Sequence, residues 1–403
     1  MSQNALLITT QSFYFENPKN GASLRVQQNY NALRERYNVD VLILGLEEKR
    51  ETLDNGSLIE AIDIHKEHKR SNKKTKLIRK LKIYLKHNPE LMLLYDSYEI
   101  RKRINRLHVE KQYKFVLLEE IALASYVKTF ISLKVPIVYD AHNVEAKIRN
   151  EIDKDRENGN NRFGDFGKIE LDLFNKATIS LVCSSGDKDL VNTIYGVDNI
   201  ITIPNCLDVE KFSKFKEEKI KNDYIKLTYI GTYHYYPNEK AALELINEIV
   251  PAIEERGEKV ELSIVGKGAT EKMIVDANNN ENIIIHGEVE SLENFYSEDS
   301  IFAMPIRLGG GTRLKVLEAF AIGNAVVCTE KACEGIECEN GKHLYVAEST
   351  KEFVDKILYA FKNPDKVDKV LDQAYELVWR RYSWNSVKES LLNSISEAIE
   401  EKP

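Results

Sequence analysis

Short apolar runs, each followed by a polar or glycine-containing turn, recur along the whole chain. Ala5 to Thr10 is an apolar strand, and after a loop with Pro18 and Gly21 the stretch Arg25 to Glu35 has helical spacing. Val39 to Gly45 is the next strand. A strand–loop–helix–strand opening is the material of a parallel sheet. Ala61 to Ile64 reads as a short strand and Phe115 to Leu118 as a buried one ending in Glu119-Glu120. Pro136 begins a strand that runs at once into Asp140, His142, Asn143 and Glu145. Lys168 to Lys176 is helical, and Thr178 to Cys183 and Ile200 to Ile203 are strands.

The second half repeats one unit: a strand ending in glycine, a polar loop, then a helix. Ile225–Ile230, Val260–Val265 and Asn282–His286 end at Gly231, Gly266 and Gly287. Ser300–Met304, Ala325–Cys328 and Leu344–Val346 complete the set, with helices starting near Asn238, Thr270, Ser291 and Thr312. The pattern predicts a doubly wound α/β sheet here, beside the parallel-sheet α/β material of the first half. The expected bounds are 1–205, a linker at 206–224, and 225–383, with a final helix after Trp384.

At 403 residues, 43% hydrophobic and 30% charged, the chain has the balance of a globular protein of two domains. No run of 18 apolar residues predicts a membrane-spanning helix, and the N-terminus lacks the basic and apolar regions of a signal peptide. Five cysteines fall in no metal-ligand spacing. A cytoplasmic location follows as the expectation.

Charge is unevenly spread. Residues 1–200 carry 32 Lys+Arg and 28 Asp+Glu, whereas the remainder carries 25 and 36. Ten of the cations lie between Lys66 and Lys86. Within that segment Lys74 to Lys86 has Leu77, Ile78, Leu81, Tyr84 and Leu85 at helical spacing with cations opposite, the pattern of a helix on an anionic membrane. Packing of the same stripe into a core is the alternative.

The densest chemistry is Gly309-Gly-Gly-Thr-Arg-Leu-Lys-Val-Leu-Glu-Ala319. Three glycines let a backbone turn tightly and bring N–H groups near a ligand. The N-terminus of the following helix favours an anion. Arg313 and Lys315 place cations where the helix dipole alone favours acids, which makes sense with a strongly negative ligand between. Glu318, a carboxylate in an apolar run, needs partners, and a sugar diol is one.

Four separated strings occur in order: Tyr139-Asp-Ala-His-Asn-Val-Glu145, Gly231-Thr-Tyr-His-Tyr-Tyr-Pro-Asn238, the Gly309–Ala319 string and Tyr382-Ser-Trp384, with Glu334-Gly-Ile336 after the third. Together they resemble the family-4 retaining glycosyltransferases of the GT-B fold, over essentially the whole chain. That resemblance implies two Rossmann-like, doubly wound domains facing across a cleft, with the last helix, 384–403, crossing back onto the N-terminal one. The C-terminal domain would hold the nucleotide-diphosphate-sugar donor, and the N-terminal domain a hydroxyl acceptor on a cell-envelope glycan, polysaccharide or lipid-linked intermediate. It implies no cofactor, no metal and no nucleic-acid partner.

By the same resemblance Gly310, Gly311 and Thr312 with Arg313 and Lys315 cradle the diphosphate, and Glu318 accepts the ribose hydroxyls. His142 contacts the donor sugar, Gly21 lets the first loop approach the phosphate, and Gly231, Lys267 and Val289 lie near the nucleotide. The expected catalytic group is therefore His142, Arg313, Lys315 and Glu318. Two positions depart from the family. Gly310 stands where relatives carry a second glutamate, and Thr232 and Asn238 stand where many carry Arg and Lys. Phosphate neutralisation then rests on Arg313 and Lys315. The basic segment Lys66–Lys114 implies peripheral contact with an anionic membrane, at its inner face. A nucleotide-sugar epimerase of the same fold, or a non-catalytic nucleotide-sugar-binding scaffold, are the competing readings.

Overall fold

The computed structural model describes residues 3–16, 20–70, 90–148, 151, 166–213, 223–292, 295–296 and 300–400. Two compact units result, Met1–Pro204 with Val387–Pro403, and Asn205–Ser386.

The first unit is an eight-stranded sheet: β1 Gln3–Thr9, β2 Tyr37–Leu44, β3 Lys49–Thr52, β4 Leu58–Ile62, β5 Phe115–Glu119, β6 Ile137–Ala141, β7 Ile179–Val182 and β8 Ile200–Thr202. The order is β3-β4-β2-β1-β5-β6-β7-β8, parallel except for the β3–β4 pair. Strands β5, β6 and β7 are buried at every residue, as required where helices cover both faces of a parallel sheet. Neighbours of β1 depart in opposite directions along the chain, β2 on one side and β5 on the other. That makes the carboxyl ends of β1 and β5 the switch point where open α/β sheets take ligands.

The second unit is a six-stranded parallel sheet: β9 Ile225–Ile230, β10 Val260–Val265, β11 Ile283–Gly287, β12 Ser300–Met304, β13 Val326–Cys328 and β14 Tyr345–Val346. Its order, β11-β10-β9-β12-β13-β14, puts the switch point between β9 and β12. The glycine-rich stretch leaves the end of β12 there.

The segment expected as a linker begins inside the second unit. Leu207 donates its N–H to Tyr382 O at 2.8 Å and accepts that of Trp384 at 2.9 Å. The helix Trp384–Glu400 buries Val387, Leu391, Leu392, Ile395 and Ile399. It is tied to the first unit by Arg36–Glu389 at 2.9 Å and Lys388–Glu35 at 2.9 Å.

Several elements differ from the sequence expectation, among them the helix expected at Arg25 to Glu35, which runs from Gly21 to Leu33. Ser291 and Leu292 are not helical, so no helix starts at Ser291. The helix expected from Thr312 runs from Leu314 to Ile322. The strand expected at Ala61–Ile64 is Leu58–Ile62, with Ile64 opening a helix. The expected basic helix Lys74–Lys86 lies outside the described residues. Among those described, no helix is long and apolar enough to cross a membrane.

Candidate functional site

In the second unit three glycines line one sheet edge. Gly231 follows β9, Gly266 follows β10 and Gly287 ends β11. Gly231 N–H reaches Val265 O at 3.0 Å and Gly266 N–H reaches Gly287 O at 2.8 Å. A Cβ on Gly266 would stand 1.8 Å from Gly231 O, so the edge closes only with glycine there. Tyr233 N–H donates to Lys267 O at 2.9 Å, which fixes the Lys267 backbone beside this edge. Asn238 folds back to Thr232 O at 3.0 Å. Val289, in the strand-end loop beyond Gly287, is partly buried against the hydrophobic core.

The loop after β12 has Gly309 at φ +91° and Gly311 at φ +77°, the left-handed region that favours glycine. Gly310 lies outside it. A Cβ on Gly309 would meet the Tyr235 hydroxyl at 2.4 Å. Arg313 turns back on this loop and donates to Leu308 O at 3.1 Å, Gly311 O at 3.4 Å and Gly310 O. Its guanidinium therefore staples the loop carbonyls of residues 308, 310 and 311 together. Thr312 Oγ1 is buried with no hydrogen-bond partner. The helix Leu314–Ile322 has no side chain capping its N-terminus; Val316 N–H turns back to Arg313 O at 2.9 Å, which leaves those of Leu314 and Lys315 for an anion.

Lys315 and Glu318, one turn apart, meet at 2.6 Å, and the Tyr296 hydroxyl donates to the same Glu318 oxygen at 2.7 Å. Glu318 is 8% exposed. Burial, with the Glu318 charge added, pushes the Tyr296 phenol well above its ordinary range, so it stays a donor.

In the first unit the switch point holds a network of buried charges. Arg25, on the helix Gly21–Leu33, takes both oxygens of Asp140 at 2.7 Å and donates to Ile203 O at 2.9 Å. Asn29, one turn on, donates to Glu119 at 3.0 Å and Asp140 at 2.7 Å. His142 Nε2 lies 2.7 Å from Glu119 Oε2. Burial raises the Asp140 carboxyl, but Arg25 and His142 outweigh it and hold Asp140 below the usual carboxylate range. The loop after His142 is set by Glu170, fully buried, which accepts Glu145 N–H at 2.6 Å, Ala146 N–H at 3.3 Å and the Tyr195 hydroxyl at 2.7 Å.

Glu119, Asp140 and His142 offer ligand atoms within 4.8 Å of one another, the spacing a cation could use. Arg25 and Asn29 already occupy their oxygens, so the cluster reads as a closed hydrogen-bonded network. Gly21 is the first residue of its helix, behind an Asn20–Ser23 capping box, and has no positive φ.

The structure thus gathers Gly231 and Lys267 at one glycine-lined edge, and Gly310 to Glu318 at one loop and helix. It places Gly21 and His142 in the other unit. Sequence reasoning missed Arg25, Asn29, Glu119 and Glu170. Glu119 alone carried a local signal, an acid closing an apolar strand.

Residues 225–363 match the family described as Glycosyl transferases group 1. An uncharacterized 44.6 kDa protein in the cps region of Klebsiella pneumoniae is 24% identical over 315 residues, covering 75% of this chain and 80% of that protein. Among solved structures, sucrose-phosphate synthase from Thermosynechococcus elongatus superposes with a TM-score of 0.71. It is 13% identical and covers 99% of this chain and 100% of that one. Anabaena HepE, solved in complex with UDP and glucose, gives 0.66 at 12% identity over 97% and 99%. At such identities the structural likeness shows the fold, GT-B. With the group 1 match it supports a glycosyltransferase.

Proposed function

We propose that the chain is a retaining, metal-independent glycosyltransferase of family-4 type. It moves a sugar from a nucleoside-diphosphate-sugar to a hydroxyl on a cell-envelope glycan, polysaccharide or lipid-linked intermediate. The observation that carries the reading is the Gly309–Gly311 loop feeding an uncapped helix N-terminus one turn from the Lys315–Glu318–Tyr296 group.

In this reading the diphosphate rests on loop and helix N–H groups. Lys315 neutralises the charge that grows as the sugar departs, a preorganised electrostatic service that needs no reorganisation during the step. Arg313 acts through the loop it staples. Glu318 takes a ribose hydroxyl, and Gly231, Lys267 and Val289 border the base. His142 serves the transferred sugar. The acceptor hydroxyl attacks from the face the diphosphate leaves, and a departing phosphate oxygen takes its proton. HepE, solved in complex with UDP and glucose, supports a nucleotide-sugar donor. The cps-region relative supports a polysaccharide product.

The test is a thermal-shift panel of nucleoside-diphosphate-sugars, in which ligand at about 100 times its Kd adds about 2.7 kcal/mol of stability. The stabilising donor is then incubated with candidate acceptors. Acceptor-dependent release of nucleoside diphosphate, with an α-linked product from an α-donor, is expected. Tight binding with no turnover on any acceptor would instead mark a scaffold, and sugar isomerisation without release an epimerase.

The segment Lys66–Lys114, with residues 71–89 outside the described set, is proposed to meet an anionic membrane at its inner face. Neutralising Lys73, Lys74, Lys80 and Lys82 should then abolish binding to anionic liposomes; unchanged binding removes the membrane from the reading.

A further inference from the structure

At the carboxyl ends of β5 and β6 three acids surround one imidazole. Glu119 Oε2 lies 2.7 Å from His142 Nε2, Asp140 Oδ2 lies 3.7 Å from the same nitrogen, and Glu120 Oε1 lies 3.7 Å from Nδ1. The Glu119 and Asp140 side chains are 0% exposed and that of His142 9%. Among the described residues, Arg25 is the one fixed cation paired with these acids. The Cys183 thiol, which donates to His142 O at 3.3 Å, is pushed by burial up to about 12 and stays neutral. Three carboxylates against one guanidinium leave room for a second positive charge, and His142 is the group they enclose.

The two ring nitrogens decide the protonation. A neutral imidazole carries one N–H. Used at Nε2 for Glu119, it leaves a bare lone pair at Nδ1 toward the Glu120 carboxylate. A proton at Nδ1 removes that repulsion. Nδ1 is buried and makes no hydrogen bond, so its donor is unspent.

Glu120 reaches this place at a cost. Its backbone sits at φ +78°, ψ +153°, a strained region almost restricted to glycine. The Thr10 hydroxyl and the Gln11 amide both donate to its carboxylate and hold it there.

We infer that Glu119 and Glu120 are positioning residues that keep His142 doubly protonated, with Nδ1–H available to an oxygen of the ligand. Resting on the glycosyltransferase reading for the identity of that ligand, this makes His142 a cationic hydrogen-bond donor, and not a base. Burial alone would lower the imidazole. The Glu119 hydrogen bond and the charges of Asp140, Glu119 and Glu120 carry it up to about 9. Burial and the Asp140 charge raise Glu119 to about 7, against His142 and Asn29.

The experiment is ¹⁵N NMR of the histidine-labelled full chain, with His142 assigned from the spectrum of His142→Gln. In the wild type both His142 nitrogens should show imidazolium shifts at pH 8, with a midpoint near 9. In Glu119→Gln and in Glu120→Gln that midpoint should fall by a unit or more. A neutral wild-type His142 at pH 7, or an unmoved midpoint in both variants, overturns the inference. The wild-type titration suffices if a variant fails to fold. No donor is present, so an enzyme that transfers no sugar but shows the raised midpoint would sink the function and leave the positioning intact.

Discussion

Lys315 and Glu318 form a contact of 2.6 Å on one face of the helix Leu314–Ile322, and both stand where a ligand would meet the helix start. The pair is more than a surface ion pair, because Tyr296 donates to the same carboxylate oxygen and Glu318 is 8% exposed. Glu318 Oε1 takes no hydrogen bond from the described residues, which leaves it for a hydroxyl.

Glu318→Ala removes the acceptor of a buried phenol, and an unsatisfied buried polar group costs about 1–3 kcal/mol. It also frees Lys315 from its partner. Donor affinity should fall about tenfold or more by isothermal titration, with a lower melting temperature. Tyr296→Phe with Glu318 intact should lower the melting temperature and leave affinity within about threefold. Equal affinity loss in the two variants would refute a ligand role for Glu318.

Arg313→Lys tests the staple. The guanidinium serves three carbonyls of residues 308, 310 and 311, and a lysine cannot reproduce that fork. If Arg313 acts through the loop, Arg313→Lys should raise the donor KM nearly as much as Arg313→Ala, about tenfold. If its charge alone matters, lysine should restore the wild-type KM.

Much of this architecture is legible in the chain because burial writes it there. Strands β5 and β12 are buried at every residue, so they read as continuous apolar runs bounded by polar ends. Strand β3, Lys49–Thr52, is exposed at all four residues and carries no apolar signal. The helix Tyr98–Lys111 buries only Ile100, Ile104 and Leu107 among its charges, which hides it in the same way. Candidate-site residues divide likewise. The glycine loop with Lys315 and Glu318 is one local string. The Arg25–Asp140 pair joins positions 115 apart, which only the parallel order of β1, β5 and β6 brings together. Nothing near Arg25 in the sequence announces that partner.

The histidine cluster fixes a pH dependence of stability. His142 in the folded chain titrates at about 9, above the value near 6.5 of an unfolded histidine. The folded state binds that proton more tightly. The contribution is therefore complete below about pH 6.5 and is lost as pH rises toward 9. The melting-temperature gap between wild type and His142→Asn should accordingly shrink between pH 6.5 and 9. A gap that widens over that range would contradict the assigned charge.

Glu170 supports the same loop from behind. It accepts two backbone N–H groups and the Tyr195 hydroxyl, so Glu170→Ala strands several buried donors. A loss of about 2–4 kcal/mol in denaturant unfolding is expected. Glu170→Gln keeps an acceptor oxygen and should recover part of it. Equal losses would show that charge, and not acceptance, is what the site needs.

Gly266 gives the sharpest test of the glycine-lined edge. Its φ of +128° is strained for any side chain, and a Cβ would lie 1.8 Å from Gly231 O, a backbone atom that cannot swing aside. Gly56, at φ +80° with open space around its Cβ position, supplies the control for strain alone. Gly56→Ala should cost about 1 kcal/mol. Gly266→Ala must push β9 and β10 apart at their carboxyl ends, so a loss above about 4 kcal/mol is expected, with low soluble yield. Where folded protein survives, the displaced edge should bind donor poorly. Comparable midpoints for the two variants in denaturant would mean that the ends of β9 and β10 are not locked together as the geometry requires.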